Sequence, residues 1–285
     1  MLVSVIKEGL GNQLFQYATG RSLAYKLGVK FKLDICHYET NKSRKYSLNH
    51  FGIIEQFITP LEKTSLRAKN WYSKRLKQLD ISARSYWYFE NGFEFDPKLF
   101  QVLDNTIIEG YWQTEKYFKD IEDIIRREFQ VKDLLKGKNE EYLREIKKEN
   151  SVSLHVRRGD YISNDHVNSI HGACGLTYFE SAIEYMLKHI SNPCFFVFSD
   201  DMEWVRENIS IKGCRTYYTD HNGDDDFEDL RLMYSCKHQI ISNSSFSWWG
   251  AWLNSNRNKV VVAPANWFRS NRIDRDILPQ SWIRL

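Results

Sequence analysis

No CxxC pair occurs in this 285-residue sequence, and its five cysteines, at 36, 174, 194, 214 and 236, stand apart with no histidine at metal spacing. A disulfide framework and a zinc ribbon are thereby excluded, and the pattern reads as reduced thiols in a cytosolic chain. Charge of one sign is lacking as well. A formal net charge of +3 and a pI near 8.4, with no Lys/Arg-rich arm and no basic groove interleaved with aromatics, argue against nucleic acid as a partner. No apolar run approaches bilayer length, and no repeat or low-complexity tract interrupts the chain. The amino terminus runs directly into Leu2-Val3-Ser4-Val5-Ile6 without a charged leader, so the expectation is a cytoplasmic protein, peripheral to a membrane at most.

What is present is globular in composition. Hydrophobic residues make up 42% and charged residues 27%, and the length suits two domains. An aromatic share of 15% suggests sugar-stacking or amphipathic surfaces, although most of the nine tryptophans are expected in the core. One stretch is locally basic. Lys63, Arg67, Lys69, Lys74, Arg75 and Lys77 surround Leu66, Trp71, Tyr72, Leu76 and Leu79, which fits an amphipathic helix lying either over the core or on a membrane surface.

Residues 2–6 predict a strand. After Lys7-Glu8-Gly9-Leu10-Gly11-Asn12-Gln13, the apolar residues from Leu14 to Leu27 predict a helix stopped by Gly28, and Val29 to Ile35 a second strand. This is a βαβ opening with a glycine-containing turn aimed at a helix amino terminus, fit to cradle a phosphate or simply to turn tightly. Residues 40–105 carry no clear period. Asn105 to Gly110 reads as a strand, and 115–129 and 138–149 read as helices, the latter a plausible connection between halves.

After Ser151 the pattern becomes regular alternation. Strands are expected at 151–156, 194–198, 214–218, 238–242 and 259–263, separated by helices around 176–190, 201–208, 225–236 and 245–254. That order predicts a parallel sheet wrapped on both faces, and hence an α/β protein of two halves, 1–150 and 151–285, with a cleft between them.

Polar chemistry gathers where these strands end. Arg157 and Arg158 leave the strand that contains His155, and an arginine fork binds phosphate through two charge-assisted hydrogen bonds. Asp160 could hold one guanidinium, and Gly159 would allow a sharp turn; the Arg-Arg-Gly-Asp tetrapeptide alone also fits a solvated surface turn. After Phe198-Ser199, Asp200 and Asp201 could cap the next helix or accept from a base or ribose. Ser242, Ser244, Ser245 and Ser247 crowd another helix start, ahead of tryptophans expected to pack inward. Together the arginines and serines would make a diphosphate site without metal. Asp224, Asp225, Asp226, Glu228 and Asp229 could bind a divalent cation, but they also suit a helix start, with Asp229 left available one turn on.

Residues Gly9 to Ala18, His155 to Tyr161 and Ser242 to Ala251 resemble three blocks of the bacterial α-1,2-fucosyltransferases of glycosyltransferase family eleven. Phe198-Ser199-Asp200-Asp201 and His171-Gly172-Ala173-Cys174 look like two more. The resemblance implies a GT-B-like fold of two Rossmann-like domains, an acceptor-side domain at 1–150 and a GDP-fucose-binding domain at 151–285. It implies inverting transfer of L-fucose from GDP-β-L-fucose to the 2-hydroxyl of a galactoside, with no cofactor and no essential metal, in building a cell-surface polysaccharide or O-antigen. The location expected is the cytoplasm, with contact to the inner membrane through 63–79.

By that similarity Arg157 holds the β-phosphate, helped by Ser244, Ser245 and the amide of Phe246. His155 and Asp229 fall on the guanine and ribose side, and Arg158 and Asp200 belong to the donor site. Gly9, Gly11, Asn12 and Gln13 form the glycine-rich turn, with Asn12 approaching the diphosphate or fucose. The general base is open among Asp160, His171, Asp165 or none, and Glu8, where relatives often carry a small residue, receives no role. Competing readings are a protein or core-glycan fucosyltransferase, a non-catalytic glycan-binding module and a metal-dependent transferase.

Overall fold

The computed structural model describes residues 1–78, 86–270 and 272–285. The chain divides into two compact units, residues 1–132 with 275–277, and residues 133–274 with 278–285. The break falls at 132/133 rather than at 150/151. Helix 138–148, expected to connect the halves, belongs to the second unit because its Ile146 is buried among Cys194, Phe196, Phe198, Leu232 and Met233. Residues 275–277 join the first unit, where Asp276 accepts from the Phe95 amide at 2.9 Å and pairs with Lys116.

The first unit is built on four parallel strands in the order β2-β1-β4-β3: β1 (Leu2–Val5), β2 (Phe31–Asp34), β3 (Trp87–Phe89) and β4 (Thr106–Glu109). Between β1 and β2 runs α1 (Leu10–Leu27), buried on nearly every face until its last turn. Gly20 lets it come close to the sheet, since a Cβ there would sit 2.6 Å from the Phe31 ring and 2.8 Å from Ser4 Cβ. Gly28 ends it in the left-handed conformation, φ 64°, its amide bonded to Ala24 O and Tyr25 O, as the sequence predicts.

Short α2 (His37–Thr40) follows β2, and then α3 (Pro60–Gln78), which is the basic amphipathic helix. Its Leu66 packs with Val3 and Ile107, and Lys63 pairs with buried Asp34 at 2.6 Å. Trp71 and Tyr72 are exposed, with the Arg75 guanidinium 5.1 Å above the Trp71 ring. Leu79, the last residue of that patch, lies outside the described residues. The helix expected over 115–129 is broken. Phe118 (φ −137°, ψ 4°) separates 3₁₀ turns at Glu115–Tyr117 and Lys119–Ile121, and regular α4 covers only Glu122–Glu128.

The second unit follows the predicted alternation closely. It contains α5 (Lys138–Lys148), β5 (Asn150–Val156), α6 (Gly159–Ser163), α7 (Asp165–Ile170), α8 (Leu176–His189), β6 (Pro193–Ser199), α9 (Met202–Asn208) and β7 (Thr216–Thr219). Then come α10 (Asp226–Ser235), β8 (His238–Ile240), α11 (Ser245–Leu253), β9 (Val261–Ala263) and an unanticipated two-residue β10 (Ile283–Arg284). All six strands are parallel, in the order β10-β9-β8-β5-β6-β7.

Strand alternation sorts the core of this unit into two layers. Val152, Leu154, Val156, Phe195 and Val197 pack with α8 and α9, whereas Cys194, Phe196 and Phe198 pack with α5 and α10. With both faces covered, the strands read as continuous apolar runs, which is why they were visible in the sequence. The chain leaves β5 toward β6 and β7 and returns to the other side of β5 as β8. The switch in strand order therefore lies between β5 and β8, where open α/β sheets bind ligands outside the strand carboxyl ends.

Candidate functional site

Register brings the second unit's site together. Val156 is the Cα partner of Ser199, so Arg157 and Arg158 emerge beside Asp200 and Asp201. Arg157 bonds Asp160 Oδ1 at 2.6 Å and Asp200 Oδ2 at 3.1 Å, and its guanidinium lies 5.7 Å from the Tyr161 ring centroid. Burial opposes its charge, but Asp200 and Asp160 outweigh burial and raise its pKa. Nε–H and further N–H groups stay available to an incoming anion. Gly159 serves proximity: a Cβ there would stand 2.5 Å from Asp200 Oδ2.

The two arginines part. Arg158 shares the parity of Val156 and turns toward α9, where it bonds Asp201 at 3.1 Å and lies 3.8 Å over the Trp204 ring. Asp201 caps α9 through the Trp204 amide, and Asp200 Oδ1 accepts the Arg158 amide at 2.8 Å. Arg158 and Asp200, both expected in the donor site, bond to groups of the arginine loop and of the start of α9. Arg157 shares the parity of His155 and faces the other way.

His155 is buried, 2.9 Å from Ser242 Oγ through Nδ1 and 5.5 Å from the Phe246 ring. Burial, reinforced by Arg157, pushes its pKa down to about 3, so the ring is neutral. The serine block folds as its sequence implies. Ser244 is the N-cap of α11, accepting from the Phe246 amide at 3.3 Å; Ser245 opens the helix half-exposed, and Trp248, Trp249 and Trp252 are buried. Ser242 and Ser247 serve the turn itself, Ser247 Oγ donating to Ser242 O and Ser244 O. A helix amino terminus beside a fixed guanidinium is suited to a phosphate.

The base candidates separate by environment. Asp160 is tied to Arg157, and Asp165 sits exposed in the first turn of α7. His171 stacks on Tyr161 at 5.1 Å with an interplanar angle of 18°, and Phe268 lies 5.4 Å away. Its Nδ1 is buried without a hydrogen-bond partner, and burial, then Arg272, lowers its pKa while Asp160 raises it. Asn243 fixes this region, donating to the carbonyls of His171, Gly172 and Trp267, while Tyr161 Oη donates to Asn243 O at 3.0 Å.

Asp229 stands in the first turn of α10, accepting from Asn222 at 2.6 Å. Asn222 accepts from Asn139 at 2.7 Å, and Asn139 bonds His221 at 2.7 Å. Burial, outweighing the Asn222 bond, raises the Asp229 pKa to about 7. Among the described residues no group of three His, Cys, Asp or Glu gathers as metal ligands, and Asp226, Glu228 and Asp229 occupy a helix start.

In the first unit the turn after β1 is built differently from its sequence reading. Gly9 is an extended N-cap with open space around it, and the left-handed residue is Glu8, φ 68°. Gly11 is buried in the first turn of α1. Gln13, expected to bind substrate, is fully buried and its amide is used up: it donates to Glu8 O and Lys45 O and accepts from the Ser47 amide. Asn12 remains half-buried, its Oδ1 accepting from Gln113 at 2.8 Å.

Sequence reasoning missed Ser242 as the partner of His155, Tyr161 and Asn243 as supports, and the Asn139–Asn222 relay. The parity of Arg157 with His155 was a usable signal; the relay, spanning residues 139 to 229, left none.

Relatives agree with this architecture. The model of Glycosyl transferase family 11 matches residues 1–285. The chain is 31% identical over 307 residues to the Escherichia coli O-antigen biosynthesis glycosyltransferase WbnK, covering all of both proteins. It is 31% identical over 292 residues to an Escherichia coli alpha-1,2-colitosyltransferase, covering 100% of this chain and 99% of that protein. To galactoside alpha-(1,2)-fucosyltransferase 1 of Saimiri boliviensis boliviensis it is 27% identical over 85% of this chain and 62% of that one. Among solved structures, an Arabidopsis thaliana FUT1 variant in complex with GDP matches with a TM-score of 0.52 at 12% identity, covering 99% of this chain and 75% of that one. The fold is GT-B-like, and the chain belongs to glycosyl transferase family 11.

Proposed function

We propose that the protein transfers L-fucose from GDP-β-L-fucose to the 2-hydroxyl of a galactoside, with inversion and without an essential metal. The observation that carries this reading is the mounting of Arg157 between Asp160 and Asp200 at the switch point. Breaking the bond from fucose to phosphate leaves negative charge on GDP, so the largest electrostatic help is needed at the leaving group. A fixed guanidinium and the first turn of α11, with Ser244 and Ser245, supply it where other sites use a divalent cation.

His155, neutral and anchored by Ser242, and Asp229 serve the nucleoside. Asp160 acts by holding Arg157. His171, whose Nδ1 is buried without a hydrogen-bond partner and whose pKa burial lowers, is the group we assign to accept the proton of the attacking hydroxyl. The likeness to an O-antigen biosynthesis glycosyltransferase supports a product built into an O-antigen. Transfer by purified protein from GDP-fucose to galactose-terminated acceptors in excess EDTA, with linkage analysis, tests the reading; an absolute requirement for Mg²⁺ or Mn²⁺ would overturn its metal-free part.

The equal identity to a colitosyltransferase favours one second reading, a donor that lacks the 3-hydroxyl of fucose. Competition between GDP-fucose and GDP-colitose decides it. No helix among the described residues is long and apolar enough to cross a membrane. Contact with an anionic inner-membrane surface is assigned to α3, whose exposed Trp71, Tyr72, Lys69, Lys74 and Arg75 suit it. Co-sedimentation with anionic but not neutral vesicles is the expected result.

A further inference from the structure

Within the second unit, Asp229 ends a chain of side chains drawn from α5, the loop after β7 and α10. Asn222 Nδ2 donates to Asp229 Oδ1 at 2.6 Å, Asn139 Nδ2 donates to Asn222 Oδ1 at 2.7 Å, and His221 Nε2 meets Asn139 Oδ1 at 2.7 Å. A carboxylate only accepts, so Asn222 must turn its nitrogen to Asp229 and Asn139 its nitrogen to Asn222, and the oxygen left on Asn139 takes a proton from His221 Nε2. His221 Nδ1 is buried without a hydrogen-bond partner, and burial, then Lys138, lowers the pKa of the ring while Asp220 raises it. All three bonds therefore point the same way, each polarising the next toward the carboxylate.

Asp229 stands on the face of α10 that turns to the sheet. Leu232 and Met233, three and four positions on, pack with Phe196 and Phe198, and Phe246 lies against that layer with its ring 5.5 Å from His155. Asp229 Oδ2 has no partner among the described residues. The charged groups around it are Asp226 and Glu228 on its own helix, Glu228 being bonded by Arg231, then Lys138 on α5, Asp220 paired with Lys138 and Arg206, and Arg157 beyond His155. Burial pushes the Asp229 carboxyl up to about 7 against the Asn222 bond, and Asp226 and Glu228 add to the rise. A buried acid with one oxygen left open is a cost that packing alone does not require.

We infer that Asn222, aimed by Asn139, is a positioning residue that holds Asp229 as an ionised acceptor for the paired N–H donors of a guanine base, so that the choice of guanine over adenine depends on this relay. This rests on the reading of the chain as a transferase of a GDP-linked sugar. Guanine offers two adjacent donors, the ring N1–H and the 2-amino group, whereas adenine turns a lone pair outward at N1. Ionised Asp229 accepts from the first and repels the second; protonated Asp229 loses that preference.

The experiment is displacement of a fluorescent GDP analogue by GDP and by ADP between about pH 6 and pH 8, for wild type, Asn222→Leu, Asp229→Asn and the double variant, with melting temperatures alongside. Both nucleotides carry the same diphosphate, so its own titration cancels in the ratio of their dissociation constants. In wild type the preference for GDP is expected to grow about tenfold across that range as one carboxyl deprotonates. Asn222→Leu, close in size but without either bond, is expected to lower the preference at pH 8 about tenfold and to move its rise to higher pH. In the Asp229→Asn background the same change should alter the preference less than about twofold. A purely structural role would lower the melting temperature of Asn222→Leu and leave the pH profile of the preference where it was, and that result would overturn the inference. If Asn222→Leu does not fold, Asn139→Ala, which frees Asn222 to turn, takes its place with the same expected direction. A wild type that binds neither nucleotide overturns the GDP-sugar reading and the inference with it; a wild-type preference for GDP that does not change with pH overturns the inference alone.

Discussion

His155 on β5 and Ser242 beyond β8 lie 2.9 Å apart across the switch in strand order, so the arginine strand and the serine turn share one hydrogen bond. The imidazole is neutral in the fold, with its pKa at about 3 against 6.5 in the open chain. The unfolded state therefore binds a proton that the folded state refuses, and stability is lost as pH falls from about 6.5 toward 3. In urea titrations, His155→Gln is expected to show a shallower loss over that window than wild type, by up to one proton. Identical slopes would mean that His155 is charged in the fold.

The arginines are expected to respond differently to the same change. Arg157→Lys cannot keep both bonds to Asp160 and Asp200 and, on the function proposed, a phosphate as well, and should lower kcat by about two orders of magnitude. Arg158→Lys keeps a charge near Asp201 but loses the stack on Trp204, so melting temperature falls while kcat stays within about tenfold. Steady-state kinetics beside thermal melts separate the two, and equal losses of kcat would refute the split.

Asp229→Asn is expected to trade function for stability. Its carboxyl is raised to about 7, so the fold is favoured while it is protonated and that contribution is lost as pH rises from about 4 through 7. The amide removes this loss, and the urea midpoint should rise at pH 8 and not at pH 3.5. GDP affinity should fall by about tenfold for the loss of a charged acceptor.

Gly159→Ala places a methyl against Asp200 Oδ2 and forces that carboxylate off Arg157. Overpacking of this kind costs about 1–3 kcal/mol, and here it should also lower kcat. A variant with native stability and native kcat would show that the loop yields without disturbing Arg157.

The second unit was legible because its strands are buried on both faces. Every strand and helix expected after Ser151 is present, with ends shifted by no more than two residues in most cases, and Gly28 stops α1 as read. The first unit was opaque between 40 and 105 because β3 is only three residues, two half-buried and Phe89 exposed, whose partner, β4, lies some twenty positions on. Within the candidate site, residue type pointed to Arg157 and Ser244, which the fold puts at the end of β5 and the start of α11, but carried no sign of which side chains other residues would hold. Gln13 sits in a recognisable turn motif and is spent on backbone atoms of residues 8, 45 and 47, contacts that depend on a loop no local pattern announces. Asp200 reads as a ligand for ribose, yet the β5–β6 register gives both of its oxygens to the arginine loop.

β5 is paired along all seven of its residues with β6 and along three with β8, and its side chains from Ser151 to Val156 are buried. Its amides should be among the last in the molecule to exchange with deuterium, opening only with the whole second unit. Arg157 is carried at the end of that strand. Partial unfolding events that release the sheet edge at β7 or β10 would leave the guanidinium where it is, so anion binding should persist in any partly opened state that retains β5, β6 and β8.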